Sequence, residues 1–406
     1  MRFGVFMAPF HTARGQNPLT AFARDLATLQ QLDELGYDEA WIGEHHSGGS
    51  ELIASPEIFI AHVAAQTKHI KLGTGVLSLP YHNPLWVADR AILLDHLTRG
   101  RFMLGLGPGS LPTDATMIGI DPVSQRSALE EDTDVLIQLL TQDEPVTKKT
   151  ARYNLVEARC QLRPYTTPCF EVGIAAIASP SGPRIAGKHG LALLSIGATM
   201  TGDLDMLAAH WSVMEERAHQ FDTIIERAAW RLVGPMHIAE TKEQAYKDVA
   251  YGLDDWCRYL QYEAAVPHFE PGGSTLKERI DWINESGVGV IGTPDDAIRH
   301  IRLLQEQSHG FGCYLMMAHE WARADATRQH FELFAQQVAP HFQGSLERLD
   351  AARALAVRRR EALYSRMGDA LDEAKTRHAA EQAVRADGLQ RPGPDFGERT
   401  SETPEP

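Results

Sequence analysis

Residues 101–114 read RFMLGLGPGSLPTD. The stretch begins as an apolar run of strand length, 102–106, and then breaks into Gly105, Gly107 and Gly109 with Pro108 among them. Glycine reaches backbone conformations closed to other residues and leaves no side chain between chain and ligand. A buried strand that empties into such a turn is how an α/β protein brings backbone up to a ligand. An ordinary tight turn between strand and helix leaves the same trace. The spacing is G-x-G-x-G, not the G-x-G-x-x-G of a dinucleotide fingerprint, and no convincing helix opens on the last glycine.

Strand-like and helix-like segments alternate on both sides of this stretch. Before it, residues 2–8, 38–43 and 70–76 read as strands. Between them, 19–35 carries Leu19, Phe22, Leu26, Leu29, Leu32 and Leu35 at helical spacing. Ser55 and Pro56 look like the cap and first position of a helix over 57–67, and 84–97 reads as another helix. After it come a helix at 125–140, an extra hairpin within 144–164, a strand at 170–176, a short helix at 183–189 and a strand at 191–196. A helix at 203–227 leads to a seventh strand at 231–238. Residues 241–286 read as an insertion, partly helical, with a break at 266–274. A helix at 294–307, an eighth strand at 311–317 and a last helix at 324–338 complete the repeat. Eight strand–helix units in strict alternation predict a parallel α/β sheet closed as a (β/α)8 barrel. The expected organisation is a barrel over 1–344, a charged helical extension over 345–389 and a disordered tail over 390–406. The extension either packs on a neighbouring subunit or does nothing specific.

The chain has 406 residues, 43% hydrophobic and 23% charged, enough for a large core. A net charge of -15 argues against nucleic acid as a partner. Four cysteines without CxxC spacing fit a reducing cytoplasm and argue against a metal or disulfide framework. The opening MRFGVFMAPF is strand-like and lacks a signal peptide's apolar core. No run approaches the length of a membrane span.

In a barrel, function gathers at the carboxyl ends of the strands. Those ends carry Gly43-Glu44-His45-His46-Ser47-Gly48-Gly49, Gly75-Val76 with Pro80-Tyr81-His82-Asn83-Pro84, the glycine turn, and Ala178-Ser179-Pro180-Ser181-Gly182-Pro183. His45 and His46 are adjacent on an extended chain, so they cannot easily share one ion. A histidine at a strand end either transfers a proton or is simply hydrogen-bonded in the barrel mouth. The turn over 179–183 reads as a serine cap with proline at the first helical position. That is either an ordinary cap or, with its free N–H groups and the helix dipole, a phosphate site. Arg184 and Arg126 either assist a phosphate or are solvated. No GxSxG, Walker A, HExxH or EF-hand pattern occurs, and a cofactor would account for the thin set of protein catalytic groups.

At these residues the sequence resembles the bacterial luciferase-like flavin monooxygenases. The landmarks are RFGVFMAPF, DEAWIGEHH, KLGTGVLSLPYHNP, LLDHLTRGRFMLGLGPG and GVIGTPDDAIRHI, in family order over about residues 1–342. Within that group it most resembles the limonene monooxygenase type, through GPGSLPTDATMIGIDPVSQR, INESGVGVIGTPDDA and FGCYLMMAHEW. The resemblance implies a (β/α)8 barrel with reduced FMN at the strands' carboxyl ends. His45 matches the family's catalytic histidine, and Gly75–Val76 a non-prolyl cis peptide beneath the flavin ring. Asn83 matches a pocket position held by a histidine in luciferase itself. Ser179, Ser181 and Gly182 match the phosphate loop, and Gly107 and Gly109 the turn beside the flavin. The reactive cysteine of bacterial luciferase falls at Gly107, which argues against light emission but not against oxygenation.

The implied reaction uses FMN reduced by a separate NAD(P)H:flavin reductase, and O2. A C4a-(hydro)peroxyflavin forms and gives one oxygen atom to an apolar terpene-like or polycyclic substrate, by epoxidation, hydroxylation or Baeyer–Villiger insertion. His45 is expected to hydrogen-bond the peroxy group, and the insertion over 241–286 to act as a lid. A homodimer through the early helices is the family expectation. Two other readings stay open: a deazaflavin (F420)-dependent oxidoreductase on the same barrel, and a flavin-binding protein without catalysis.

Overall fold

The computed structural model describes residues 1–11, 16–196, 205–264 and 273–389. Eight parallel strands form a closed barrel: β1 Arg2–Phe10, β2 Glu39–Ile42, β3 Lys71–Thr74, β4 Phe102–Gly107, β5 Glu171–Ala176, β6 Ala192–Ile196, β7 Trp230–Gly234 and β8 Cys313–His319. Each pairs with its neighbours in chain order. The ring closes where β8 lies beside β1 and where Leu72 and Gly73 of β3 meet Phe102 and Met103 of β4. Strands shielded on both faces read as apolar runs, which is why their positions were legible.

The helices between them are α1 Pro18–Glu34, α2 Pro56–Ala64, α3 Pro84–Thr98, α4 Pro112–Ile118, α5 Gln125–Thr141, α6 Ser181–His189 and α7 Asp205–Phe221. Their starts follow local chemistry. Asn17 and Asn83 accept hydrogen bonds from Leu19 N and Leu85 N, each at 3.0 Å, ahead of a proline at the first helical position. Ser55 departs from the expected cap: its hydroxyl turns to Glu57 at 2.9 Å and leaves the α2 amides alone. The extra hairpin is present as the antiparallel pair Val146–Lys149 and Asn154–Ala158.

The seventh strand is shorter than expected. Pro235 has no N–H for a ladder, so β7 stops at Gly234. Met236–Ile238 pairs instead with Val290–Gly292, as a separate parallel ribbon. That ribbon brackets the insertion, whose described helices are α8 Lys242–Val249, α9 Leu253–Arg258 and α10 Leu276–Glu285, with a π turn at Tyr259–Glu263. Most of the expected break at 266–274 lies outside the described residues. The insertion buries Trp256, Tyr259, Leu260 and Ile283 against Phe10, Leu111 and Trp321, at the carboxyl ends of the barrel strands. The repeat ends with α11 Pro294–Ser308 and α12 Ala324–Gln337.

At its amino end the barrel is closed by charge. Arg231 has a fully buried side chain. It donates to Glu39 from Nε at 2.7 Å and to Glu171 from Nη1 at 2.6 Å. Trp41 donates its indole N–H to Glu39 at 2.9 Å, and Arg2 adds a bond at 2.6 Å. Above this plug, Phe6, Met103, Leu194, Val233 and Leu315 fill the interior.

Contacts divide the chain into Met1–Gln343 and Gly344–Pro406. In the second unit Glu347–Leu389 is one helix of 43 residues. Its ion pairs include Asp350–Arg353 and Glu373–Arg377, of a kind worth a few tenths of a kcal/mol each. The tail expected at 390–406 lies outside the described residues. Among those described, no helix is long and apolar enough to cross a membrane.

Candidate active site

Beyond β2 the chain turns through residues 43–51, and the side chains of Glu44, His45 and His46 part company. Glu44 is buried and accepts from His46 Nε2 at 3.0 Å, His82 Nε2 at 2.7 Å and Ser78 N at 2.6 Å. Burial alone would raise its carboxyl, but these bonds hold it down at about 2. His45 turns the other way, toward Asp114 and Glu51. The two histidines therefore serve different partners.

Asp114 is a residue that sequence reasoning missed. The glycine turn does feed a helix, α4, but it opens at Pro112 with Leu111 at the cap and no side-chain capping bond. Its first turn places the buried Asp114 beneath the loop after β2. Asp114 Oδ2 lies 3.0 Å from His45 Nδ1, and Oδ1 accepts from His46 N at 3.1 Å and Ser47 Oγ at 2.5 Å. Glu51 Oε2 lies 3.0 Å from His45 Nε2, an ion pair that holds the second ring nitrogen. Both ring nitrogens thus face carboxylates. Nδ1 is held by Asp114 and Nε2 is paired with Glu51.

Burial pushes the His45 imidazolium toward losing its proton. The Glu51 and Asp114 carboxylates overcome this and raise its pKa to about 10. The folded protein holds the proton more tightly than an unfolded chain, where imidazole titrates near 6.5. The clamp's contribution to stability is therefore complete below about pH 6.5 and is lost as pH rises through about 10. The melting temperature is expected to fall across that window, with a smaller fall in a Glu51→Gln variant, as scanning calorimetry would show.

On the neighbouring strands, Gly75–Val76 is a cis peptide. It sits in a bulge. Gly73 pairs with Met103 and Leu77 with Leu106, so one residue more lies on the β3 side. Thr74 bridges the gap, its Oγ1 donating to Gly105 O at 2.7 Å and accepting from Gly105 N at 2.9 Å. A Cβ on Gly107 would come within 2.5 Å of Val76 Cγ2 and 3.7 Å of the Ala175 Cβ. Gly109 has φ +93°, and a Cβ there would strike the Tyr81 hydroxyl at 2.2 Å. Gln125 ties the turn down, donating from Nε2 to Pro108 O at 2.8 Å and to the Tyr81 hydroxyl at 2.9 Å. The glycines at 107 and 109 are thus demanded by protein packing itself.

Next to β4, the turn after β5 differs from the sequence reading. Pro180, not Ser179, holds the cap position of α6, and no side chain bonds the first-turn amides. Ser179 and Ser181 place their hydroxyls 2.7 Å apart. Gly182 packs on β5 so closely that a Cβ would lie 2.3 Å from Ala175 O. The first turn of α6 holds no acidic side chain. Arg184 and Arg126 are both exposed. Asn83 spends its side-chain oxygen on the α3 cap.

Val76 and Gly107 thus pack beside Ala175, on which Gly182 also packs, and Tyr81 lies against Gly109 and in ring contact with His46 at 6.2 Å. A cavity of about 300 Å³ lies elsewhere, between α1 and α12. It is lined by His11, Arg24, Asp25, His319 and Arg323, and touches none of the predicted residues.

A closed parallel barrel with its polar loops and a buried histidine–carboxylate cluster at the strands' carboxyl ends is the architecture of a barrel enzyme. Comparison with known proteins narrows that class. The sequence matches the luciferase-like monooxygenase family over residues 1–308. It is 45% identical to limonene 1,2-monooxygenase of Rhodococcus erythropolis over 384 residues, which is 94% of this chain and 97% of the relative. It is 42% identical to 4-hydroxyprotoasukamycin monooxygenase of Streptomyces nodosus subsp. asukaensis, over 86% of this chain and 94% of the relative. The oxygenating constituent of 3,6-diketocamphane monooxygenase from Pseudomonas putida, solved in complex with FMN, superposes with a TM-score of 0.70 at 24% identity, covering 84% of this chain and 98% of its own. The chain belongs to the luciferase-like monooxygenase family and is a flavin-dependent monooxygenase.

Proposed function

We propose that this protein is the oxygenase of a two-component system, taking reduced FMN from a separate NAD(P)H:flavin reductase and inserting one atom of O2 into an apolar, terpene-sized substrate. The observation that supports the reading is the packing of Val76, Gly107 and the first turn of α6 around Ala175, together with His45 clamped by Asp114 and Glu51 after β2. The donor set suits FMN. A phosphate monoester needs N–H and O–H donors and positive potential. The first turn of α6 offers uncapped amides, the Ser179 and Ser181 hydroxyls and no carboxylate. In this reading Gly182 and Gly107 let the backbone pack tightly beside them, and Gly75–Val76, Asn83 and Gly109 would face the flavin ring.

Bound reduced flavin supplies the oxygen activation; the protein's own groups orient and protect it. The helix dipole and serines would hold the phosphate. His45, kept protonated between Asp114 and Glu51, would donate from Nε2 toward the reacting oxygen. Phe10, Leu111 and Trp321, covered by Trp256 of the insertion, would keep water from that face. Limonene is the first substrate to test, because a relative named for it is 45% identical over nearly the whole chain. The protein with FMN, a reductase and NADH is expected to put label from 18O2 into a limonene product. Turnover with reduced deazaflavin and none with FMN would overturn the reading.

A homodimer belongs to the same proposal. Leu19, Phe22, Ile53, Ile58 and Phe59 line an apolar groove between α1 and α2, and Trp86, Leu93 and Leu97 stand exposed on α3. A patch of this kind marks an association surface. Wild-type protein is expected to sediment as a dimer and Ile58→Asp as a monomer.

A further inference from the structure

The insertion reaches the candidate site through one hydroxyl. Tyr259 opens the π turn that follows α9, and its side chain is buried. Its ring packs 5.1 Å from Phe10, and its Cε2 lies close to Gly48. Phenylalanine would fill the same space. The hydroxyl is a polar group in an apolar setting, which costs stability unless it is bonded. Its bond is to Glu51 Oε1, at 2.7 Å. The other oxygen of that carboxylate is the one paired with His45 Nε2. The two residues joined by this hydroxyl are 208 apart in sequence. A π turn re-aims side chains relative to a regular helix and recurs at functional sites. Ser50 reinforces the contact, donating to Glu263 at 3.3 Å.

We propose that Tyr259 is a positioning residue for the reaction: from the insertion it fixes Glu51 beside His45 Nε2, and so sets how readily that nitrogen gives up its proton. The proposal rests on the reading of His45 given above. Glu51 is buried, with Oε2 set 3.0 Å from His45 Nε2 and Oε1 accepting from the Tyr259 hydroxyl at 2.7 Å. The tyrosine therefore supplies the bond that fixes the carboxylate's orientation. The remaining titratable groups are Asp114 from α4, which holds His45 Nδ1, His46 and Glu44 from the same loop as His45, and Glu263 of the π turn, which faces Tyr259 and Ser50. None of these bonds Nε2. Without the hydroxyl, Glu51 is released, the ion pair lengthens and Nε2 holds its proton less tightly.

The test is nitrogen-15 NMR of the His45 ring in the full chain without flavin, assigned with His45→Gln and followed from neutral pH to about pH 11. Glu51→Gln is expected to lower the titration midpoint of His45 by about 1–3 pH units, the effect of removing one adjacent opposite charge. Tyr259→Phe keeps the ring and the packing, and is expected to lower the midpoint in the same direction by a smaller amount. In the loaded enzyme, Tyr259→Phe is expected to lower kcat with the FMN Kd unchanged. A Tyr259→Phe midpoint equal to or above the wild-type value overturns the proposal. So does an unmoved midpoint in Glu51→Gln, which stands as a second test should Tyr259→Phe not fold. Because the titration needs no flavin, a shifted midpoint in a protein that fails to bind FMN would overturn the proposed function and leave the role of Tyr259 standing.

Discussion

Arg231→Met is expected to destabilise the protein by about 3–5 kcal/mol at neutral pH, the cost of stranding one member of a buried ion cluster. Arg231 is the shared partner of Glu39 and Glu171, with no exposed side-chain surface. Methionine fills much of its volume but supplies no N–H. Glu39 would keep the Trp41 indole and the half-exposed Arg2, too little to hold a buried carboxylate charged. Burial pushes Glu39 up, and the Arg231 guanidinium now holds it below its ordinary value. Without Arg231 its carboxyl rises. The destabilisation is therefore largest above the ordinary carboxylate range and shrinks as pH falls and Glu39 becomes neutral. Urea unfolding at pH 7 and pH 5 measures both. Adding Glu39→Leu is expected to recover part of the loss, because an apolar pair is often no worse than the ion pair it replaces. Equal stability of Arg231→Met and wild type at pH 7 would remove the plug from any account of the barrel's strength.

The second large effect falls on activity. His45→Gln keeps an N–H donor and nearly the volume of the ring, so Asp114 retains a partner and the fold survives. It loses the ionisable proton. Turnover is expected to drop by about 10²–10⁴-fold, the usual range for one positioned proton donor. FMN affinity should stay near wild type, because the phosphate donors on α6 lie apart from the clamp. The loss would appear as NADH consumed with peroxide released in place of product. Wild-type turnover in this variant would show that the imidazolium only ties the loop to α4.

Much of the barrel was legible because its signals are local. Apolar runs on doubly buried strands and Asn-Pro or Ser-Pro helix starts need only a few neighbouring residues to be recognised. The errors lie where a local signal was ambiguous or absent. Residues 231–238 are apolar throughout apart from Arg231, Gly234, Pro235 and His237, and only the missing N–H of Pro235 hints at two strands in different sheets. The seven residues of α4 are too few to show a period, and the cap position is a leucine. The site was half legible for a related reason. His45 and the glycine turns sit in short motifs, whereas distant partners complete the site: Asp114 is 69 positions from His45, and Tyr259 is 208 from Glu51. Pairings at such separations have no pattern in a single sequence. They exist only once the barrel has closed.

The near contact between Gly107 and Val76 bears on how such a site can change over time. A Cβ at 107 would sit 2.5 Å from the valine methyl, well inside any distance two carbons tolerate. Position 107 therefore cannot gain a side chain while valine stands at 76. A lineage that acquired a thiol at 107 would have to trim residue 76 first, since the reverse order passes through a chain with two side chains in one space. The order of steps is imposed by volume before chemistry has any say, and relatives with a side chain at 107 should carry something smaller than valine at 76.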